Sequence, residues 1–356
     1  MTMNGQKLNL IPGDICEIKI AIAGMGKMGS YHLNALQQLT AGAYEDYYKG
    51  NINEQLRKIR ICGICDIMPS RLISFGTIRT FDNAENMLEQ TNPDILIVTT
   101  PTNTHKDIAL AGLNRSIHTF VEKPIVTSVA QLNELLSVAQ DSGCRLLAGH
   151  IERYNPVSVK IVSLLKNTKP LIESYSFIRT QKRDIRVTDD IITDKVIHDL
   201  DLALCFFGTI KRIKIDDFKL VDGQAYEVKL SLEHQDGIKG SIFVSWLSGL
   251  QIKKRQVEIM QGGHKWKGDF VLKQLWVDGA EIKCQVEGMI KPSNNQIKDE
   301  LVDFIASCID SAPLQKIVPL LSIDEIIEST KWLEDISEAP RLYSRGFLRR
   351  RVNRFR

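Results

Sequence analysis

The 356-residue chain lacks any apolar stretch long enough for a membrane-spanning helix. Its best apolar runs, Asp94–Pro101 and Leu202–Ile210, fall far short of the roughly 18 residues such a helix needs. Residues Met1–Lys19 also lack the apolar core of a secretory signal. The seven cysteines are scattered and odd in number, which suits reduced thiols better than a disulfide framework. We therefore expect a cytoplasmic protein.

The chain also lacks a general excess of positive charge. Its formal net charge is +3, but six of its 46 basic residues are arginines among the last twelve positions, which contain no acid. Without those six, 40 basic residues face 43 acidic ones, which argues against a nucleic-acid-binding surface. In the basic tail, residues 341–356, Leu348, Val352 and Phe355 follow helical spacing and suit an anionic membrane surface. A solvated tail or an oligomer contact is the alternative.

The length suits two domains, and the composition is that of an ordinary globular protein. Up to about residue 150, apolar strands alternate with helices, which predicts a parallel sheet covered on both faces. Beyond it, alternating apolar patterns separated by Asp236-Gly237 and Asp278-Gly279 predict a mainly antiparallel sheet. We assign residues 1–151 to the first domain, with an insertion at about 40–58, and residues 152–340 to the second. Two helices near 295–311 and 323–336 are assigned to the second domain.

A glycine-rich turn joins the first predicted strand to the first predicted helix. Its pattern is Gly24-x-Gly26-x-x-Gly29, in which the glycines permit a tight turn, close approach to a pyrophosphate, and close helix packing. An ordinary strand-to-helix turn is the alternative. We expect a Rossmann-type dinucleotide-binding domain, joined to an α+β domain with a large open sheet. The residues assigned to the cofactor in this turn are Gly24, Gly26, Lys27, Met28 and Gly29.

An acidic residue ends the second predicted strand, where a ribose-binding carboxylate is expected. Asp66 occupies that place and favours NAD, because a carboxylate repels the 2′-phosphate of NADP. Arg71 lies five residues on and could neutralise such a phosphate, so NADP is the alternative. Cys62 and Cys65 lie within the same apolar strand, which favours buried thiols over zinc or redox chemistry.

Further motifs resemble the Gfo/Idh/MocA family of sugar and polyol oxidoreductases along residues 18–340. These are Thr100-Pro101-Thr102-Asn103-Thr104-His105, Glu122-Lys123-Pro124, and Asp194-x-x-x-His198 followed by Asp199-Leu200-Asp201. The resemblance implies NAD as cofactor, hydride transfer at a carbohydrate carbon, and a homodimer or homotetramer. It adds to the cofactor-binding residues Thr100, Pro101, Asn103, His105, Glu122 and Lys123.

Three side chains are expected to perform the chemistry. Lys123 follows a strand at the carboxyl edge of the sheet, where a cation could stabilise an alkoxide. Asp194 and His198 are four residues apart on a predicted helix, so an acid can orient an imidazole that takes the hydroxyl proton. We expect Lys123 and His198 to converge on one reactive centre. The alternatives are a surface lysine, a core histidine, or a metal pair that lacks an identifiable third ligand.

The segment from Gly149 to Pro156 is similar to that of family members that oxidise the 3-hydroxyl of UDP-N-acetylglucosamine and supply the 3-keto sugar to an aminotransferase for lipid A synthesis. Arg153 would suit the diphosphate and Tyr154 a sugar or uracil face. Asn155 and Asp201 complete the predicted substrate set. The alternative for the loop is an Arg–Glu pair. For the whole chain, the alternatives are another sugar or polyol dehydrogenase and a non-catalytic NAD-binding regulator.

Overall fold

The computed structural model describes residues 17–41, 59–73, 75–165, 171–184, 189–247, 253–284, 295–309 and 321–344. The described chain forms two compact units. The first contains residues up to Ile151 and the segment Gly288–Leu321, and the second contains Glu152–Glu287 and the residues from Ser322 onward. The predicted insertion, apart from its first two residues, and the arginine-rich end of the basic tail lie outside the described residues.

The first unit is built on a six-stranded parallel sheet with the strand order β3-β2-β1-β4-β5-β6. This arrangement confirms the predicted Rossmann-type fold. Thr80–Phe81 is a short edge strand that the sequence pattern does not indicate. The strands are β1 Ile18–Ala23, β2 Ile59–Cys65, β3 Thr80–Phe81, β4 Ile95–Val98, β5 His118–Glu122 and β6 Leu146–Gly149. The helices between them are α1 Lys27–Thr40, α2 Ala84–Thr91, α3 His105–Leu113 and α4 Val129–Asp141.

Burial and capping explain why these segments fold as they do. All four residues of β4 are buried, as expected for a parallel strand covered on both faces. Helix α4 begins at the predicted capping residue, where the Ser128 hydroxyl accepts the Gln131 amide at 3.3 Å. Asn83 caps α2 in the same way, accepting the Asn86 amide.

The second unit is built on an eight-stranded mixed sheet with the order β14-β13-β12-β11-β7-β10-β9-β8. All neighbours are antiparallel except β7 and β10, so the predicted mainly antiparallel sheet is confirmed. Asp278 and Gly279 both have positive φ between β13 and β14, as a tight hairpin requires. The strands are β7 Ile172–Thr180, β8 Ile210–Val221, β9 Gln224–His234, β10 Lys239–Ser245, β11 Lys254–Gln261, β12 His264–Asp269, β13 Gln274–Val277 and β14 Ala280–Ile282.

Helices cover one face of this second sheet and form its core. They are α5 Pro156–Leu165, α6 Ile197–Phe207, which continues from a π-helical turn at Ile192–Val196, and, later in the chain, α8 Ile323–Ser344. Phe177 of β7 and Phe206 of α6 lie in the same buried cluster, which encloses this layer. No helix in the described ranges is both long and apolar enough to cross a bilayer.

Helix α7, Gln296–Ile309, belongs to the first unit although it follows all the strands of the second. The sequence analysis assigned this helix to the second domain. Its Phe304 ring packs edge-on against Phe120 of β5, with ring centroids 5.6 Å apart, and is 1% exposed. The helix also packs against α1. An apolar helix face carries no label for its partner, so only the tertiary structure shows where it packs.

Candidate active site

The glycine turn of the first unit adopts a conformation that side chains would prevent. Gly24 has φ of 95°, and a Cβ there would lie 2.7 Å from the backbone nitrogen of Thr100. A Cβ on Gly29 would lie 1.9 Å from the Gly24 carbonyl oxygen. At Gly26, the residue that precedes α1, the nearest atom to a Cβ would be 3.9 Å away. Two glycines therefore close the turn, and the third leaves open space at the helix N-terminus.

Asp66 connects this turn to the end of β2. Its Oδ2 accepts the Met25 amide at 2.8 Å, and its Oδ1 accepts the Met68 amide at 2.8 Å. The Arg71 guanidinium lies 3.3 Å from Oδ2, and its side chain is 46% exposed. The nearest atom to the open space at Gly26 is a nitrogen of this same Arg71. A buried carboxylate and a partly exposed guanidinium thus stand together beside the turn.

The first unit fits a dinucleotide at this turn. The open space at Gly26 lets a ligand approach the backbone, and Gly26 has no side chain to cap α1, so the first-turn amides suit an anionic group. Lys27 is exposed and Met28 half-buried in that first turn. Thr99 donates to the Gly24 carbonyl at 2.5 Å and thereby fixes the end of β4 against the turn.

Residues after β4 continue the same edge of the sheet. Pro101 and Asn103 are exposed, and Thr100 and Thr104 join their hydroxyls at 2.8 Å. His105, by contrast, is 1% exposed. Its Nε2 lies 2.8 Å from the Thr100 carbonyl oxygen and its Nδ1 lies 2.9 Å from that of Pro124. Burial lowers the pKa of His105, while those carbonyls act in the opposite direction.

Because main-chain oxygens occupy both ring nitrogens, His105 has no ring nitrogen left for the cofactor contact that the sequence analysis assigned to it. Its place in the structure is that of a bridge between two loops.

Lys123 follows β5 and is half-buried. The preceding Glu122 is 5% exposed, and its Oε1 accepts a hydrogen bond from His32 Nε2 at 2.7 Å. Burial alone would raise the pKa of Glu122, but His32 and Lys123 outweigh it and hold that pKa below its usual range. Glu122 was also assigned to the cofactor, whereas the structure pairs it with His32. The sequence analysis missed His32 because it fits the apolar stripe of α1.

In the second unit, His198 lies in the first turn of α6 and is 7% exposed. Asp194 lies on the preceding π-helical turn and forms an ion pair with Lys195 at 3.1 Å. Such turns interrupt α-helices most often at functional positions. The predicted acid and imidazole thus lie at the beginning of one helical segment, and Lys195 is the acid's neighbour.

A buried ion network holds the residue next to His198. Asp199 accepts three hydrogen bonds from Arg179, at 2.7 to 3.1 Å, and both side chains are about 2% exposed or less. Glu152 accepts from Arg179 at 3.3 Å and from Arg255 at 2.5 Å. These two guanidinium groups hold the pKa of Glu152 low although burial would raise it. The network anchors α6, which carries His198, to β7 and β11.

The predicted substrate residues lie inside this unit rather than on an open surface. Arg153 is 2% exposed, and it contacts Asp201 at 2.8 Å and Glu325 at 3.1 Å. Tyr154 is 5% exposed, and Asn155 donates to the Phe270 carbonyl at 2.9 Å.

These contacts correct the expected diphosphate contact of Arg153, because two carboxylates already neutralise its charge. They also correct the alternative of an Arg–Glu pair within the loop, because the Glu325 partner comes from α8 and the Asp201 partner from α6. The roles of Arg153 and Asp201 that the contacts support are structural.

The cysteines of the described residues are free thiols, and Cys62 and Cys65 are buried in β2. Burial raises the pKa of Cys65 to about 11, so it stays protonated and unreactive at neutral pH. Across the described ranges, no three His, Cys, Asp or Glu side chains are grouped closely enough to hold a metal ion.

Comparisons with known proteins place the first unit in a family. Residues 18–150 match the family described as "Oxidoreductase family, NAD-binding Rossmann fold". Among curated proteins, the chain is 23% identical over 217 residues to myo-inositol 2-dehydrogenase of Thermotoga maritima, which covers 58% of the chain and 60% of that protein. It is 24% identical over 196 residues to UDP-N-acetylglucosamine 3-dehydrogenase of Acidithiobacillus ferrooxidans, covering 54% and 55%. The aligned part of the chain thus spans little more than half the length of these relatives.

Solved structures share the fold over most of the chain. The UDP-N-acetylglucosamine 3-dehydrogenase of Acidithiobacillus ferrooxidans superposes with a TM-score of 0.73 at 19% identity, covering 91% of this chain and 98% of that one. The WlbA dehydrogenase of Bordetella pertussis, in complex with NADH and UDP-GlcNAcA, superposes with a TM-score of 0.71 at 17% identity, covering 92% and 97%. At these identities the likeness establishes the fold.

Proposed function

Because residues 18–150 belong to the Gfo/Idh/MocA family of oxidoreductases with an NAD-binding Rossmann fold, we propose that the chain oxidises a hydroxyl group of a sugar or polyol. The observation that carries the proposal is the position of Lys123. It stands at the carboxyl end of β5, which is separated from the strand of the glycine turn only by β4. Ligands of open parallel sheets bind at that edge.

The first unit supplies the cofactor half of the proposed site. The amides of the Gly26 turn would hold the pyrophosphate, and Asp66 with Arg71 would meet the adenosine ribose. Thr100, Pro101 and Asn103 continue this half along the same edge. NAD, when bound, supplies the hydride acceptor.

Two side chains of this chain are proposed to handle the substrate hydroxyl. The imidazole of His198 accepts its proton, with Asp194 setting the orientation of the ring. The ammonium group of Lys123 stabilises the alkoxide that forms as the proton leaves. The Arg179–Asp199 network keeps the His198 helix in one position, which general base catalysis requires.

The 3-hydroxyl of UDP-N-acetylglucosamine is the substrate position we favour. A UDP-N-acetylglucosamine 3-dehydrogenase is similar to this chain both in sequence and in fold. The 3-keto sugar formed there is the kind of carbonyl that an aminotransferase would consume in lipid A synthesis.

A free polyol such as inositol is the second candidate. It is favoured by the inositol dehydrogenase relative and by the ion pairs that occupy Arg153, the side chain first assigned to the diphosphate.

The experiment is a substrate panel followed by single substitutions. Reduction of NAD is followed by absorbance with UDP-hexosamines, free sugars and inositols. Lys123→Ala and His198→Ala are each expected to lower kcat by about 100-fold or more while NADH affinity, measured by fluorescence, stays within about threefold. Lys106→Ala and His264→Ala are matched controls on surface ion pairs and are expected to retain full activity. Full turnover by both active-site variants would refute the assignment.

A further inference from the structure

Two buried histidines of the first unit hold the residues on either side of Lys123. His32, in α1, is fully buried, and His105, the first residue of α3, is 1% exposed. The proposed reaction uses neither ring. Burying a polar ring is costly unless its contacts repay it, so two such rings around one tripeptide call for an explanation.

On the amino side of Lys123, His32 secures Glu122. The ring donates to one carboxylate oxygen at 2.7 Å, and the other oxygen accepts the backbone amide of Lys123 at 3.2 Å. The His32 ring also lies edge-on against Phe120, with ring centroids 5.3 Å apart. A charge-assisted hydrogen bond inside the protein is stronger than a neutral one, so this side is held firmly.

On the carboxyl side, His105 secures Pro124. Its two ring nitrogens lie between the carbonyl oxygens of Pro124 and Thr100, 19 and 5 residues away along the chain. The loop after β5 is thereby tied to the loop after β4. Main-chain atoms on both sides of Lys123 are consequently fixed by imidazoles.

We propose that His32 and His105 are positioning residues that fix the backbone from which the Lys123 side chain extends. We call this arrangement, His32 with Glu122 and His105 with Pro124, the imidazole clamp. The inference rests on the proposed role of Lys123. Helices α1 and α3 also begin directly after the segments proposed to hold the dinucleotide, so the clamp ties the lysine to the cofactor half of the unit.

The test compares leucine variants, which remove the ring hydrogen bonds, with a conservative one. His32→Leu and His105→Leu are expected to lower kcat by roughly 10-fold or more, because displacement of a catalytic group by about 1 Å has effects of that order. NADH affinity is expected to stay within about threefold. His32→Gln keeps an N–H donor at the same reach and is expected to recover most of kcat.

His118→Asn is the matched control, since His118 is a buried histidine at the opposite end of the same strand. It is expected to keep kcat at pH 7. Unchanged kcat in both leucine variants, equal loss of kcat in the control, or failure of His32→Gln to recover it would each overturn the clamp.

A second readout separates the clamp from the proposed function and does not need turnover. Acylation of Lys123, measured by mass spectrometry against the surface Lys106, reports how the lysine is held. The ratio is expected to change by about threefold or more in His32→Leu and His105→Leu and not in His118→Asn. If the wild-type protein oxidises no substrate but these ratios change, the proposed function fails and the clamp stands. If the ratios are constant in folded variants, the clamp fails; where a leucine variant does not fold, His32→Gln and Glu122→Gln take its place.

Discussion

His118 is expected to make the first unit sensitive to mild acid. Its Nδ1 accepts the Arg145 amide at 2.9 Å, which joins the beginning of β5 to the segment before β6. Burial, assisted by the nearby Arg145 charge, lowers the pKa of His118 to about 4. A ring nitrogen that accepts a hydrogen bond cannot also hold a proton, so the folded unit resists protonation of this side chain.

The sign and size of the effect follow from the two pKa values. An unfolded histidine takes up its proton near pH 6.5, whereas the folded one stays neutral until about pH 4. The stabilising contribution is therefore complete above pH 6.5 and is lost as the pH falls towards 4. At about 1.4 kcal/mol per pKa unit, the full difference is about 3 kcal/mol, of which about 2 kcal/mol is lost between pH 7 and pH 5.

Hydrogen exchange at the Arg145 amide measures this locally. After correction for the intrinsic exchange rate, its opening free energy is expected to fall by about 2 kcal/mol from pH 7 to pH 5. His118→Asn presents an oxygen to the same amide but does not titrate, so its opening free energy is expected to stay nearly constant over that range. An equal fall in both proteins, or no fall in the wild type, would refute the reasoning.

Two further predictions concern the turn and the buried network. Gly29→Ala is expected to prevent both folding of the first unit and NADH binding, because its methyl group would meet the Gly24 carbonyl; Gly26→Ala is expected to fold normally by circular dichroism and to bind NADH more weakly. Normal NADH affinity in both would contradict this. Arg179→Met leaves Asp199 buried without its partner and is expected to cost about 3 kcal/mol or more, seen as a lower Tm. A Tm within about 2 °C of wild type would contradict it, by the usual scaling of Tm with stability.

Local patterns were sufficient wherever the structure is determined by neighbours in sequence. The glycine turn, the Ser128 cap and the hairpin at Asp278-Gly279 each depend on a few consecutive residues, and all three are present as predicted. The alternation of apolar residues in β9 and β10 was enough to predict the second sheet.

Long-range partners could not be predicted in the same way. Arg153 looked available for a ligand because its partners lie 48 and 172 residues away. His32 looked like one more member of an apolar stripe because Glu122 is 90 residues away. A buried charge or ring gives no sequence signal of who pairs with it, so the candidate site was predicted less well than the fold.

The return of α7 to the first unit determines how this chain can be divided. A fragment ending near residue 151 would contain every strand of the parallel sheet yet would expose the Phe120 ring that Phe304 covers. During synthesis, the cover for that ring emerges only after the whole mixed sheet has been made. Attempts to transplant the nucleotide-binding half into another enzyme should therefore carry residues 288–321 with it.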